Sequence, residues 1–194
     1  CPPAGGGRAA FADRRGRAWL GGFAGTELDE SEREWTEHPT VLSGDLGVPD
    51  DSLDNSYTIL YMAYPDTNTV LDGLILRDGQ ANQGGISNGQ AGVSGAALYI
   101  MGQDGEAYPT IRNCTFEHNT ALRSGGAVYA NGSGTGSVAP SFDNCRFVRN
   151  RSALNNGGAV ARDGSSWLER PRDFYRCAFV HNEANKHGGA LYWL

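Results

Sequence analysis

The chain has 194 residues, 28 of them glycine, and a formal net charge of −6 at pH 7. Glycine at about twice its usual share, with no collagen-like period and only 8 prolines, selects a turn-rich chain of short strands. The acidic balance, with a pI near 5.1, leaves no basic stripe for a phosphate backbone and excludes nucleic acid as a partner. No apolar run is long enough to span a bilayer as a helix.

Residues 1–18 read as an N-terminal extension or the start of a fragment, ahead of one solenoid domain over 19–194 that stops mid-coil. The opening stretch lacks the charged, apolar and cleavage regions of a secretory signal. Cys1 has the chemistry of an acylated first residue of a mature lipoprotein. Next come "AWLGGFAG", "TVLSGD" and "SYTILYM", three strand patterns separated by turn chemistry such as "PDDSLDN". Between the first two, "DESEREW" at 29–35 has the acidic first turn of a short helix or a surface loop.

From residue 70 the chain repeats itself. "VLDGLILRDGQA" is a degraded copy of a unit that recurs three times: "PTIRNCTFEHNTALRSGGAVYA" from Pro109, "PSFDNCRFVRNRSALNNGGAVAR" from Pro140 and "RDFYRCAFVHNEANKHGGALYW" from Arg172. Cys114, Cys145 and Cys177 recur after 31 and 32 residues. Phe116, Phe147 and Phe179 keep the register, and so do Asn119, Asn150 and Asn182. The pairs Gly125-Gly126, Gly157-Gly158 and Gly188-Gly189 close each unit. In the degraded unit Leu74, Leu76 and Gly79 take the Cys, Phe and Asn columns, and "SGAALYI" at 94–100 takes the glycine-pair position.

Such columns predict an all-β chain folded as a right-handed parallel β-helix, in which coils stack about 4.8 Å apart and like residues form ladders. Cys and Phe, two apart, share a strand face and point inward. Val128, Val160 and Leu191 point inward as well, with Tyr129 and Tyr192 on the opposite face. An inward Asn at a bend satisfies backbone groups that a buried turn would strand. The glycine pairs allow a sharp bend. Each coil is expected to spend about 22 residues on three short faces, with irregular N-terminal coils and long loops between units.

At this point the residues themselves resemble a family. "FEHN", "FVRN" and "FVHN", each followed by "GGAV" or "GGAL", are similar to the FxxN and GGA(I/L/V) repeats of the polymorphic outer membrane protein family. "WLGGFAGTE", "REW", "HPTVLSGDLG" and "DNSYTIL" resemble the N-terminal coils of large bacterial right-handed β-helix surface proteins. The likeness runs from Trp19 to the end. It implies a secreted or outer-membrane-associated surface protein, an adhesin in some members, exported as part of an autotransporter or held by a separate sorting domain. Any membrane attachment is then expected to run through an anchor that these 194 residues do not contain.

Zinc ligands converge on a point, whereas these cysteines rise along an axis; in-register parallel neighbours also offer poor disulfide geometry, so a buried thiol ladder is expected. His118 and His181 alternate with Arg149 at one repeat position, which places them outward, and His38 before Pro39 reads as a turn residue. Asp45, Asp72 and Asp78 are the alternative: an acidic site of a carbohydrate-active β-helix enzyme, a polysaccharide lyase or glycoside hydrolase. The same acidic half could hold a structural calcium. Tyr108, Trp167, Arg170 and Tyr175 sit in the variable loops as candidate binding residues for glycans or surface proteins. The expectation is a non-catalytic scaffold or adhesin, a stiff rod presenting variable loops.

Overall fold

Repeated residues of successive units lie directly over one another in a parallel β-helix. The computed structural model describes residues 11–13, 16–49, 51–164 and 173–193. Strand β1 (Phe11–Asp13) comes first, so the segment expected to be an extension contributes a strand to the stack. Next come β2 (Ala18–Leu20), β3 (Thr40–Ser43) and β4 (Leu60–Ala63). The degraded unit forms β5 (Val70–Asp72), β6 (Leu74–Arg77), β7 (Gln80–Ala81) and β8 (Leu98–Met101). A short β9 (Glu106–Ala107) leads to the first good repeat, β10 (Thr110–Arg112), β11 (Thr115–Glu117), β12 (Thr120–Ala121) and β13 (Val128–Gly132). After β14 (Ser137–Val138) the next coil is β15 (Ser141–Asp143), β16 (Arg146–Val148), β17 (Arg151–Ser152) and β18 (Val160–Gly164). The last is β19 (Phe174–Tyr175), β20 (Ala178–Val180), β21 (Glu183–Ala184) and β22 (Leu191–Trp193).

Every pairing between these strands is parallel and joins equivalent positions of adjacent coils. Four ladders result, in chain order β2-β5-β10-β15-β19, β3-β6-β11-β16-β20, β7-β12-β17-β21 and β1-β4-β8-β13-β18-β22, with β9-β14 as a small fifth. Three faces were expected. The extra one is the two-residue strand after each inward Asn, too short to show any alternation in the sequence.

The corners explain the spelling of the repeat. One residue per corner enters the left-handed region: Gly73, Asn113, Asn144 and Arg176 before the Cys column, and Asp78, His118, Arg149 and His181 before the Asn column. Gly125, Gly157 and Gly188 do the same at the third corner, with φ of 68°, 67° and 64°. In the first two pairs the second glycine is fixed by crowding instead, since a Cβ on Gly126 would lie 2.1 Å from the Gly158 carbonyl oxygen and one on Gly158 2.0 Å from that of Gly189. A single left-handed residue turns the chain sharply without breaking the inward and outward alternation on either side.

Inside, Phe116, Phe147 and Phe179 stack with centroids 4.9 and 4.8 Å apart and rings within 5° of parallel. A second ladder, Phe142 over Phe174 at 4.8 Å, meets them edge to face. Burying each ring contributes roughly 2–3 kcal/mol, and the edge-to-face contacts add to that. Leu71, Leu76, Leu98, Ile100 and Val128 complete the core between the faces. "DESEREW" supplies one 3-10 turn over Glu30–Glu32, capped by Asp29, whose side chain accepts from the Ser31 N–H. It is too short to be called a helix of the core, and none of its residues is buried.

Candidate functional site

The ladders account for most of the repeated residues. Asn119 donates from its side chain to the Leu76 carbonyl at 3.1 Å, and its own oxygen accepts from the Gly79 N–H at 3.0 Å. Asn150 and Asn182 repeat the pattern one and two coils on, donating to the Phe116 and Phe147 carbonyls at 2.9 Å. Cys114, Cys145 and Cys177 are free thiols rising along the axis; each donates to a backbone carbonyl, Arg112, Asp143 and Tyr175 respectively. Burial pushes the Cys114 thiol up to about 12. The Cys177 thiol beside Cys145, together with burial, holds Cys145 protonated. These groups build the rod and present nothing to solvent over its middle coils.

The outward residues behave differently from one face to the next. On the β4-β8-β13 ladder Tyr61, Tyr99 and Tyr129 stack at 5.4 and 5.8 Å. Tyr129 is on the expected side but is buried, because residues 82–94 fold back as a strap. The strap is held where Tyr99 and Asn131 both donate to the Gly89 carbonyl, at 2.8 and 3.2 Å. Tyr108, expected on a binding loop, is buried as well, its hydroxyl paired with Ser137 at 2.6 Å. Packing of β9 against β14 draws it inward, and nothing in a one-residue aromatic signal could have separated the two outcomes. Tyr175 is exposed, with the Arg176 guanidinium 4.7 Å from its ring centre. Trp167 and Arg170 lie outside the described residues.

Two clefts flank the outer side of the β6-β11-β16 ladder, one at each end of its short strands. The cleft on the Asn side, about 360 Å³, is lined by Asp45, Asn55, Asp78, His118 and Arg151 among others. Asp45 and Asp78 therefore come together, as the acidic alternative required. Burial raises the Asp78 carboxyl above its ordinary value; Arg77 and His118 oppose the rise, and the charges of Asp45 and Glu117 assist it. Asp72 is elsewhere. It is buried at the preceding corner, paired with Arg33 and Arg112 and accepting from Asn113 at 2.7 Å. Burial alone would raise its carboxyl, but those donors outweigh it and hold the group below the usual range. The three aspartates thus form no single site, because Asp72 and Asp78 flank opposite ends of β6. Among the described residues no group of three or more His, Cys, Asp or Glu is placed to hold a metal ion.

The cleft on the Cys side, about 320 Å³, was not foreseen. Its wall is Trp35, and its floor is made of Ile75, Thr115 and Arg146 with the corner amides Asn113 and Asn144. The "REW" stretch signalled a surface feature, but nothing in it showed which ladder the indole would lie against.

Residues 113–131, from the first corner of the best repeat into β13, match the Chlamydia polymorphic membrane protein repeat. This is the family resembled by the FxxN and GGA patterns, a family of bacterial surface and outer-membrane proteins. No curated protein and no solved structure matches the chain. No helix among the described residues is long and apolar enough to cross a membrane, a statement that leaves β-barrels aside.

Proposed function

We propose that this chain is a non-catalytic scaffold of the bacterial cell surface, a stiff adhesive rod whose outward residues contact glycans or proteins of another surface. The observation that carries the reading is the division of labour within each coil. Cys, Phe, Asn and the glycine pair are committed to inter-coil contacts. Side chains on the outer face of β6-β11-β16, in contrast, differ from coil to coil: Ile75, Thr115, Arg146 and Ala178 occupy one register position. A repeated interior with an unrepeated exterior fits recognition on a rigid support. The family matched by the repeat is one of surface proteins, which supports the extracellular, outer-membrane-associated location. The test is binding of the purified chain to a glycan array and to host-type cell monolayers; saturable binding is expected, and its absence from both overturns the reading.

One observation favours a second reading. Asp45 and Asp78 share an open cleft with Arg151, and Asp78 is displaced toward the protonated form. A raised carboxyl beside a second one is the arrangement of a glycosidic acid and its partner. Release of reducing ends from acidic or neutral polysaccharides, abolished by Asp78→Asn, would establish the enzyme in place of the scaffold.

A further inference from the structure

We infer that the cleft between Trp35 and Arg146 is a binding subsite for a carboxylated sugar, in which the indole takes the apolar face of the ring and the guanidinium takes the acid. The inference rests on the surface-recognition reading and names its ligand class.

Trp35 is fixed before any ligand arrives. The chain passes so close to two corners that a Cβ on Gly22 would lie 2.6 Å from the Trp35 backbone nitrogen, and one on Gly73 would lie 2.8 Å from its Cβ. Two residues earlier, Arg33 is anchored to buried Asp72 and donates to the Gly21 carbonyl at 3.1 Å. Its guanidinium lies 5.7 Å from the Trp35 ring centre. With its backbone and Cβ packed against two glycine corners and a guanidinium near its ring, the indole loses little freedom when a sugar ring stacks on it, which is how aromatic walls gain affinity.

The floor is polar and only partly used. Asn144 donates to the Asn113 oxygen at 2.8 Å, and Asn113 donates to Asp72, so the Asn144 oxygen remains available to a hydroxyl. Thr115 adds a hydroxyl beside it. Arg146 is the one charged residue among those lining the cleft, is exposed, and makes no ion pair among the described residues. With no carboxylate lining the cleft, the guanidinium is the one formal charge a ligand meets there. It selects an anion, and its planar fork suits a carboxylate.

The competing occupant, a peptide strand, is disfavoured by the backbone. The N–H and C=O groups of β6, β11 and β16 are consumed along the axis by their neighbours, so an added strand finds no edge there. Recognition has to come from side chains, and one indole, one amide oxygen, one hydroxyl and one guanidinium match a pyranose bearing a carboxylate. A cleft of about 320 Å³ holds one or two such rings.

The test is calorimetric titration of the chain with 3′-sialyllactose and tri-galacturonate, with lactose and maltotriose as neutral counterparts. At least one carboxylated probe is expected to bind, more weakly as salt rises, and more tightly than the neutral sugars. Arg146→Ala, an exposed change that leaves the core intact, is expected to weaken that binding about tenfold or more. Trp35→Ala should abolish it and Trp35→Phe should retain part, with unchanged circular dichroism certifying the fold. No binding of either acid, or binding indifferent to both positions, overturns the subsite. Cell or array binding that persists in the Trp35→Ala, Arg146→Ala double variant also overturns it while leaving the scaffold reading intact.

Discussion

Asn150 accepts two hydrogen bonds from Asn119, one from its backbone N–H at 3.2 Å and one from its side-chain amide at 3.0 Å. Asn150 then donates onward to Asn182 at 3.0 Å, so the amides form a continuous chain across three coils in the buried corner. Each amide also donates to a strand carbonyl of the preceding coil, Leu76, Phe116 and Phe147 in turn, so loss of one removes bonds on two coils.

Asn150→Ala is therefore expected to destabilise the protein by about 3 kcal/mol, the sum of several buried groups left unsatisfied. Asn150→Asp should cost a similar amount, since it keeps the acceptors but sets a carboxylate against the Phe116 carbonyl. Urea unfolding would measure the loss. Hydrogen exchange should place it in β16, β17 and their neighbours on either side, because contacts in a stack are local. A change below about 0.5 kcal/mol would show that the ladder is ornamental.

The stack was legible from spacing because an axial repeat writes the same inward chemistry once per coil. Cys, Phe and Asn columns survive as letters in register, and strand pairing follows from them. What escaped was whatever depends on contacts between unlike segments. The strap over Tyr99 and Tyr129 looks in sequence like any polar loop, and its role appears only where Gly89 meets Tyr99. Trp35 reaches β6 across a corner, a contact with no period. Asp45 and Asp78 meet because each follows a strand of the same ladder, whereas Asp72 lies at the far end of β6, a separation of six residues that composition cannot resolve.

Arg149 has φ of 51°, in a column that also holds Asp78, His118 and His181. A long side chain is tolerated there because it is exposed, but the backbone is strained. Arg149→Asn is expected to stabilise by about 0.5 kcal/mol, and Arg149→Val, β-branched, to destabilise by about 1–2 kcal/mol. Thermal melts of the two variants beside the parent check the sign. Equal melting points would mean that the corner relaxes freely.

Asp72 links the first corner to acid stability. Its carboxyl is held below the usual range in the folded chain, so its contribution is complete above the unfolded value of about 3.9 and is lost as pH falls through the folded value. At pH 7, Asp72→Asn should cost about 3 kcal/mol, leaving the largely covered Arg33 guanidinium without its counter-charge. The gap between parent and variant should narrow as the solution is acidified below about pH 4. Denaturant midpoints across that window test this, and a constant gap would reject it.

The thiol ladder should show graded reactivity. Cys177 is half-buried and its thiol is lowered chiefly by the neighbouring Cys145 thiol, whereas Cys114 and Cys145 are buried and raised. In a Cys1→Ser background, iodoacetamide near neutral pH is expected to modify Cys177 alone, and the inner pair only on unfolding. Mass mapping reads the order directly; early modification of Cys114 would contradict the ladder.

Tyr99 ties the strap to the rod. Burial pushes its phenol up to about 12, partly offset by the Asn131 amide, which donates to the hydroxyl at 2.8 Å. The hydroxyl in turn donates to the Gly89 carbonyl. Tyr99→Phe keeps the stack on Tyr61 and Tyr129 but removes the shorter of the two bonds to Gly89, at a cost of about 1 kcal/mol. The global melting point should therefore fall only slightly, while amide exchange across residues 82–94 should rise several-fold, because the strap then opens without the coils beneath it. In the parent, the ultraviolet signal of Tyr99 should stay protonated until the pH reaches about 12. If exchange in the strap is unaltered by the substitution, the segment is held by its own turns and not by the tyrosine beneath it.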